Sequence, residues 1–202
     1  MAGLVLDLVL PERCAACGAC ADGLCTRCRR AAADLCLPAG APVRIAPSVI
    51  AVAAYRYEGV IARAIRSVKR PGRHAAAAHL GALLWAQLEP VVAAGASWPR
   101  TWIPSTASRR RQRGADIPHL LAGDDAVALL RRVRQGGDQT GLDAVRRRAL
   151  PPGDFQPGHG VPPQVVLVDD VRTTGATARA AAMALQSAGA ERVLVVTLAA
   201  VT

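Results

Sequence analysis

The sequence predicts an α/β protein in which helices flank a central parallel sheet, with a small cysteine-rich segment ahead of it. Three observations carry this expectation. From Val165 to Leu198 the chain reads strand, turn, helix, strand, which makes one parallel crossover unit. Upstream, short apolar runs alternate with Ala-rich helical stretches, the pattern of an α/β layer structure. All six cysteines fall between Cys14 and Cys36, so that segment stands apart in composition.

A chain of 202 residues is long enough for one substantial core and a small extra module. Hydrophobic residues make up 51% and aromatic ones 3%, so close packing of Ala, Val and Leu must supply the cohesion. The net charge is +10 and Lys69 is the only lysine, so the positive charge is arginine. Guanidinium forks suit phosphate oxygens, which keeps nucleotides, pyrophosphate and nucleic acid among the candidate partners. A GC-rich genome, with its excess of Ala, Arg, Gly and Pro codons, is an equally good source of that bulk charge. Leu4 to Leu10 is apolar but far shorter than the roughly 20 residues that span a bilayer. No basic stretch precedes it, so the expectation is a soluble cytoplasmic protein without a secretion signal or a membrane partner.

The elements follow in order. Residues 1–40 form the cysteine-rich module, the stretch from Pro38 to Pro47 reads as a linker, and the main domain spans residues 48–202. Val49 to Tyr57 reads as a strand, and a helix follows Gly59 from Val60 to Val68 until Pro71 and Gly72 break it. His74 to Ala94 has helix propensity throughout and ends near Gly95. Trp102 and Ile103 make a short strand, Ser105 to Gly114 an exposed polar loop, and Ile117 to Arg134 has helical spacing. Gln135 to Pro163, rich in Gly, Pro and Arg, mixes loop with short elements. Val165 to Val168 is a buried strand, Ala176 to Ala188 a helix stopped by Gly189, and Arg192 to Leu198 the last strand.

Two constellations carry chemistry. Cys14 and Cys17, then seven residues, then Cys25 and Cys28, form two C-x2-C knuckles at a spacing suited to a tetrahedral Cys₄ site. Structural zinc is favoured there over disulfides or an iron–sulfur cluster, and Cys20 and Cys36 are left over. Four thiolates leave no open metal position, so such a site is structural. The second constellation is the loop from Arg172 to Thr177, between a strand and a helix N-terminus. Unpaired amides of a first helical turn, the helix dipole and the hydroxyls of Thr173, Thr174 and Thr177 make an anion cradle for a monophosphate. Asp169 and Asp170 come just before it, and carboxylates accept hydrogen bonds from vicinal hydroxyls, so the order of residues matches a ribose 5-phosphate.

The segment VVLVDDVRTTGAT, Val165 to Thr177, closely resembles the signature of the type I phosphoribosyltransferases, which bind 5-phosphoribosyl 1-diphosphate (PRPP) with Mg²⁺. The resemblance implies a type I phosphoribosyltransferase-like fold. It also implies that Asp169 and Asp170 hold the ribose 2- and 3-hydroxyls, and that Thr173, Thr174, Gly175, Ala176 and Thr177 hold the 5-phosphate. The wider chain is similar to the ComF family, competence-associated proteins joining a cysteine module to a phosphoribosyltransferase-like domain. Matching pieces are the basic loop Arg110 to Gly114, the Gln-Thr-Gly-Leu element Gln139 to Leu142, then Arg147 and Phe155, with Lys69 where the family tends to have a lysine. Carried over, Arg110 and Arg113 face the diphosphate and Lys69 assists. The chain departs from the family at Ala115, Asp116 and Ile117, where Phe-Asn-Gln is usual, and near Leu150, where an asparagine is replaced. Thr173 stands where some purine-specific relatives place an aspartate, and His74, His79, His119 and His159 are scattered, so no general base is evident.

Two functions of different class follow. One is a phosphoribosyltransferase acting on PRPP or a nucleoside 5-phosphate in nucleotide metabolism. The other is a ComF-type accessory factor in DNA uptake that binds single-stranded DNA or a competence or recombination protein without turnover; a sensor that binds PRPP without reacting is a variant of the first.

Overall fold

The computed structural model describes residues 13–93, 98–133 and 154–202. At its centre is a five-stranded sheet in the order β1-β2-β7-β6-β3. The strands are β1 (Val43–Ala46), β2 (Val49–Arg56), β3 (Arg100–Trp102), β6 (Gln164–Arg172) and β7 (Arg192–Ala200). β2, β7, β6 and β3 run parallel, and β1 is an antiparallel edge strand on β2. A separate antiparallel pair joins β4 (Leu130–Arg132) to β5 (Phe155–Pro157). The fold is therefore mixed α/β with a mostly parallel sheet between helices, as the periodicities predict.

β6 and β7 are central strands buried on both faces, which is why they read as near-continuous Val and Leu runs. One face of the sheet, with Val52, Val166, Val168, Val196 and Leu198, is covered by α2 (Gly59–Val68), α3 (Ala76–Ala93) and α5 (Ile117–Ala122). The other face, with Val165, Leu167, Val193 and Val195, is covered by α6 (Ala176–Ser187) through Ala178, Ala181, Ala182 and Leu185. Alanines on α6 let the helix lie close on the sheet, so small side chains replace the missing aromatics. Among the described residues, no helix is long and apolar enough to cross a membrane.

The cysteine segment packs into the same core. Cys14, Ala15, Leu24, Cys28 and Ala32 cluster with Ile61, Ile65 and Leu80, and α1 (Thr26–Ala33) lies beside α2. Gly23 shows how close the approach is. Its φ of +62° favours glycine, and a Cβ there would stand 2.5 Å from the His79 Cβ on α3.

Three stretches differ from the sequence expectation. The expected linker from Pro38 to Pro47 contains the 3₁₀ turn Pro38–Gly40 and β1, whose half-exposed edge position leaves no clear alternation to read. The expected loop from Ser105 to Gly114 holds a helix, α4 (Ala107–Arg113). Thr106 caps it by accepting from the Arg109 N–H at 3.3 Å, and Gly114 ends it with φ 81°. The helix expected over Ile117 to Arg134 stops at Ala122, where Gly123 takes φ 99°, and Leu130–Arg132 turns into strand instead. The expected elements Gln139 to Leu142, Arg147 and Leu150 lie outside the described residues.

Gly23→Ala is expected to destabilise the protein by about 1–3 kcal/mol in chemical denaturation, through overpacking against α3 and a strained backbone. A cysteine segment that hangs free of the sheet would leave the midpoint unchanged.

Candidate functional site

The site grows from the carboxyl end of β6. The expected strand Val165 to Val168 runs on to Arg172, because the parallel pairing with β7 continues from Asp169↔Thr197 through Arg172↔Ala200. Pleating sends alternate residues to opposite faces. Val166 and Val168 lie in the α2 and α3 core and Val165 and Leu167 in the α6 core, so Asp170 follows the first set and Asp169 the second.

Asp170 is buried, and its Oδ2 takes the Lys69 Nζ at 2.6 Å. Lys69 is the C-cap residue of α2, so the helix end delivers the ammonium to the strand end. Asp169 accepts the Asp170 backbone N–H at 2.8 Å. The residue keeps some surface open at the strand end, but its carboxyl lies deep. Burial pushes that carboxyl up to about 8, with the Asp170 charge adding to the rise, while the Asp170 N–H and the Lys69 and Arg132 charges oppose it. A protonated Asp169 can donate a hydrogen bond to a hydroxyl, and the oxygens of Asp170 can accept one.

After Arg172 the chain turns through Thr173, Thr174 and Gly175 into α6. Gly175 sits at the helix N-cap with φ 79°, which an L side chain rarely adopts, and no side chain caps the helix. The first turn holds no acidic residue, and its nearest hydroxyl contact is a long one, Ala176 N–H to Thr174 Oγ1 at 3.4 Å. The exposed Thr173, Thr174, Ala176 and Thr177 thus surround first-turn donors facing away from the core, the arrangement of an anion cradle. A cleft of about 620 Å³ opens beside it, lined in part by Arg44, Phe155, Arg172, Thr174 and Arg179. The Arg172 Nε is buried there without a hydrogen-bond partner among the described residues.

The arginine helix α4 follows β3, whose Trp102 pairs with Val168 and whose next N–H, from Ile103, donates to the Val168 carbonyl. It therefore stands on the same edge of the sheet as Asp169 and Asp170. Arg110 reaches Asp116 at 3.9 Å, and Asp116 also accepts the Ser105 N–H at 3.2 Å, so this aspartate ties the arginine helix to the strand end. Arg113 holds the helix from the other side, its carbonyl 3.2 Å from the His74 Nδ1. The structure thus brings Lys69, Asp169, Asp170 and the loop from Thr173 to Thr177 together at one strand end, with Arg110 and Arg113 on a neighbouring helix. Sequence reading missed Arg132, which joins Asp154 at 3.2 Å and the Pro104 carbonyl at 3.5 Å while its charge acts on Asp169. No local motif marks it, because β4 and β5 meet only in space.

The four predicted metal ligands do converge. The sulfurs of Cys14, Cys17, Cys25 and Cys28 all lie within 4.8 Å of one another and can hold a metal such as zinc. Cys17 Sγ and Cys25 Sγ are 3.7 Å apart, close to the edge of about 3.8 Å in a tetrahedron with Zn–S bonds of about 2.3 Å. Burial raises the Cys14 thiol, but N–H donors from Cys25, Cys17 and Ala16 outweigh it and bring it down to about 6. Burial, and then the neighbouring thiols, push Cys28 up to about 12. Four thiolates cannot share so small a volume without a cation, so the donor set fits a divalent soft-accepting metal that would fix the two knuckles. Cys20 is exposed, and Cys36 stands away beside the Gln87 Oε1 at 3.4 Å; neither belongs to the cluster.

The chain matches no protein-family model and no curated protein.

Two outcomes follow from this geometry. Metal analysis of the purified protein is expected to give about one zinc per chain, lost in Cys28→Ser with a fall in thermal stability; a full-length protein equally stable after chelation would contradict a structural role. The raised Asp169 carboxyl means that its contribution to stability is complete below its unfolded value of about 4 and is lost as the pH climbs toward about 8. Asp169→Asn is therefore expected to flatten the decline in unfolding free energy across that window, and an unchanged slope would show that Asp169 titrates normally.

Proposed function

We propose that this chain is a phosphoribosyltransferase-type protein that binds PRPP or a nucleoside 5-phosphate at the carboxyl end of β6. The observation that carries the reading is the direct run from the Asp169-Asp170 pair into an uncapped, acid-free helix N-terminus ringed by threonines. A phosphate on the first turn of α6 would leave the attached sugar on the side of the strand end that carries both carboxyls. Asp170, held by Lys69, accepts from one ribose hydroxyl, and Asp169, its carboxyl pushed up by burial, donates to the other. The fold class, a mostly parallel sheet with its loops gathered at one strand edge, is compatible with a type I phosphoribosyltransferase, and the resemblance of Val165 to Thr177 supplies the finer assignment.

In the transfer reaction the bond from ribose C1 to the diphosphate oxygen breaks, the electron pair leaves with diphosphate, and a nitrogen of the acceptor base forms the new bond to C1. Positive charge grows on the sugar and negative charge on the leaving group, so the protein's contribution is positioning and cationic stabilisation. Arg110 and Arg113 supply cations on the same sheet edge, with Asp116 setting the direction of Arg110. Among the described residues the cysteines are the one cluster of three or more metal-ligating side chains. Mg²⁺ in this reading arrives with the diphosphate as part of the substrate.

The test is calorimetric binding of PRPP and ribose 5-phosphate, alongside diphosphate release across a panel of purine and pyrimidine bases. Asp170→Asn is expected to weaken binding of both ligands at least about tenfold, since it removes a charged acceptor. Base-dependent release lost in that variant establishes the transferase; binding without release for any base leaves a ligand-sensing protein; no binding overturns the reading.

A further inference from the structure

A second basic cleft lies away from the β6 site, between the first cysteine knuckle and α2. It has a volume of about 380 Å³ and is walled by Ala15 to Gly18 on one side and by Arg63, Arg66, Arg70 and Arg73 on the other. Arg63 and Arg66 lie three apart on the exposed stripe of α2, opposite the face that buries Ile61 and Ile65, and Arg70 and Arg73 follow in the turn after it. Among the described residues none of these four guanidiniums pairs with a carboxylate, and Arg73 Nη2 donates to Ser67 Oγ at 3.4 Å. Like charges do not gather around one concavity without an electrostatic cost, and a multivalent anion repays it. A zinc ion with four thiolates carries a net charge of about −2, which four guanidiniums more than offset, so the cleft remains cationic with the metal in place.

We infer that this cleft binds a condensed phosphate: inorganic diphosphate or polyphosphate, or the phosphate tail of a nucleoside triphosphate. Guanidinium forks hold phosphate oxygens in pairs, and several forks converging on one small volume match adjacent phosphates of one compact ligand. The lining is Ala, Cys, Gly, Ser and Arg with no aromatic side chain, so it offers nothing on which a base can stack. That favours a ligand recognised by its phosphates over a single-stranded nucleic acid, whose sequence-tolerant binding relies on aromatic platforms.

The experiment is calorimetry on the full-length, zinc-loaded protein with inorganic tripolyphosphate, ATP and an oligothymidylate, for the wild type, the double variant Arg66→Gln/Arg70→Gln, and Asp170→Asn. Tripolyphosphate is expected to bind the wild type and Asp170→Asn alike and to lose at least about tenfold in affinity in the double variant. Ribose 5-phosphate binding stays unchanged in the double variant, which separates this cleft from the β6 site whatever the fate of that reading. ATP matching tripolyphosphate identifies the phosphate chain as what is read, and ATP binding tighter identifies a nucleotide as the source. The proposal is overturned if tripolyphosphate binds the double variant as well as the wild type. It is overturned as well if the oligothymidylate is the one ligand whose binding the double variant loses. Loss of zinc from the double variant, with no tripolyphosphate bound by the wild type, would show that the arginines serve the metal centre alone.

Discussion

The two-residue period of β6 is the constraint on which the rest of the molecule hangs. Val165 and Leu167 seat α6 on one face, Val166 and Val168 seat α2, α3 and α5 on the other, and both sets are buried. A slip of one residue would exchange the two faces and expose neither core correctly. The same alternation, carried two residues further, splits Asp169 and Asp170 between the layers. The two carboxyls therefore meet different surroundings: Asp170 takes the Lys69 ammonium directly, while Asp169 lies deep and feels the Lys69 and Arg132 charges only at a distance. Burial raises the Asp169 carboxyl because the sheet places it in the opposite half of the protein from Asp170 and its ion pair.

That division gives α2 a double role. Its C-terminal end holds Lys69 against Asp170, its apolar stripe packs with Leu80 and with Cys14 and Cys28, and its outer stripe carries Arg63 and Arg66 beside the cysteine knuckle. The cysteine segment is thus braced on the helix whose end supplies the Lys69 ammonium to the strand-end site. A segment of that length has too little apolar surface to fold alone, and a metal crosslink between two knuckles compensates for the missing core. The knuckles meet α2 through side-chain packing of Cys14, Leu24 and Cys28 with Ile61 and Ile65.

What could be read from sequence divides along the same physical lines. β2, β6, β7, α2 and α6 were legible because burial on both faces writes continuous Val, Leu and Ala runs, and because Gly59 and Gly189 punctuate them. The knuckles and the threonine loop were legible because their spacing is local. The arginine helix was not, since Ala107–Arg113 buries no residue and has no apolar stripe; its signals were the caps, Thr106 and Gly114, which are weaker than periodicity. β1 escaped because its half-exposed edge position writes no alternation, and β4 because so short a strand takes its stability from a partner distant in sequence. Arg132 escaped for that reason too, and the depth of the Asp169 carboxyl, which sets the aspartates apart, has no local signal either.

That asymmetry bears on how the strand-end site meets a ligand. With Lys69 already 2.6 Å from Asp170, a hydroxyl arriving at that carboxylate joins an existing ion pair instead of creating one, so Asp170 is held in place before binding and loses little freedom on it. The loop beyond it has the opposite character. Its helix N-terminus carries no side-chain cap, its threonines are exposed, and the donors of its first turn await an acceptor. A ligand that carries a phosphate on one end and vicinal hydroxyls on the other uses both properties at once, satisfying the open donors with the first and the fixed carboxyls with the second. In the proposed reading a bare phosphate would use half of the site and a free sugar the other half, so selectivity for the joined ligand would come from the adjacency of β6 and α6.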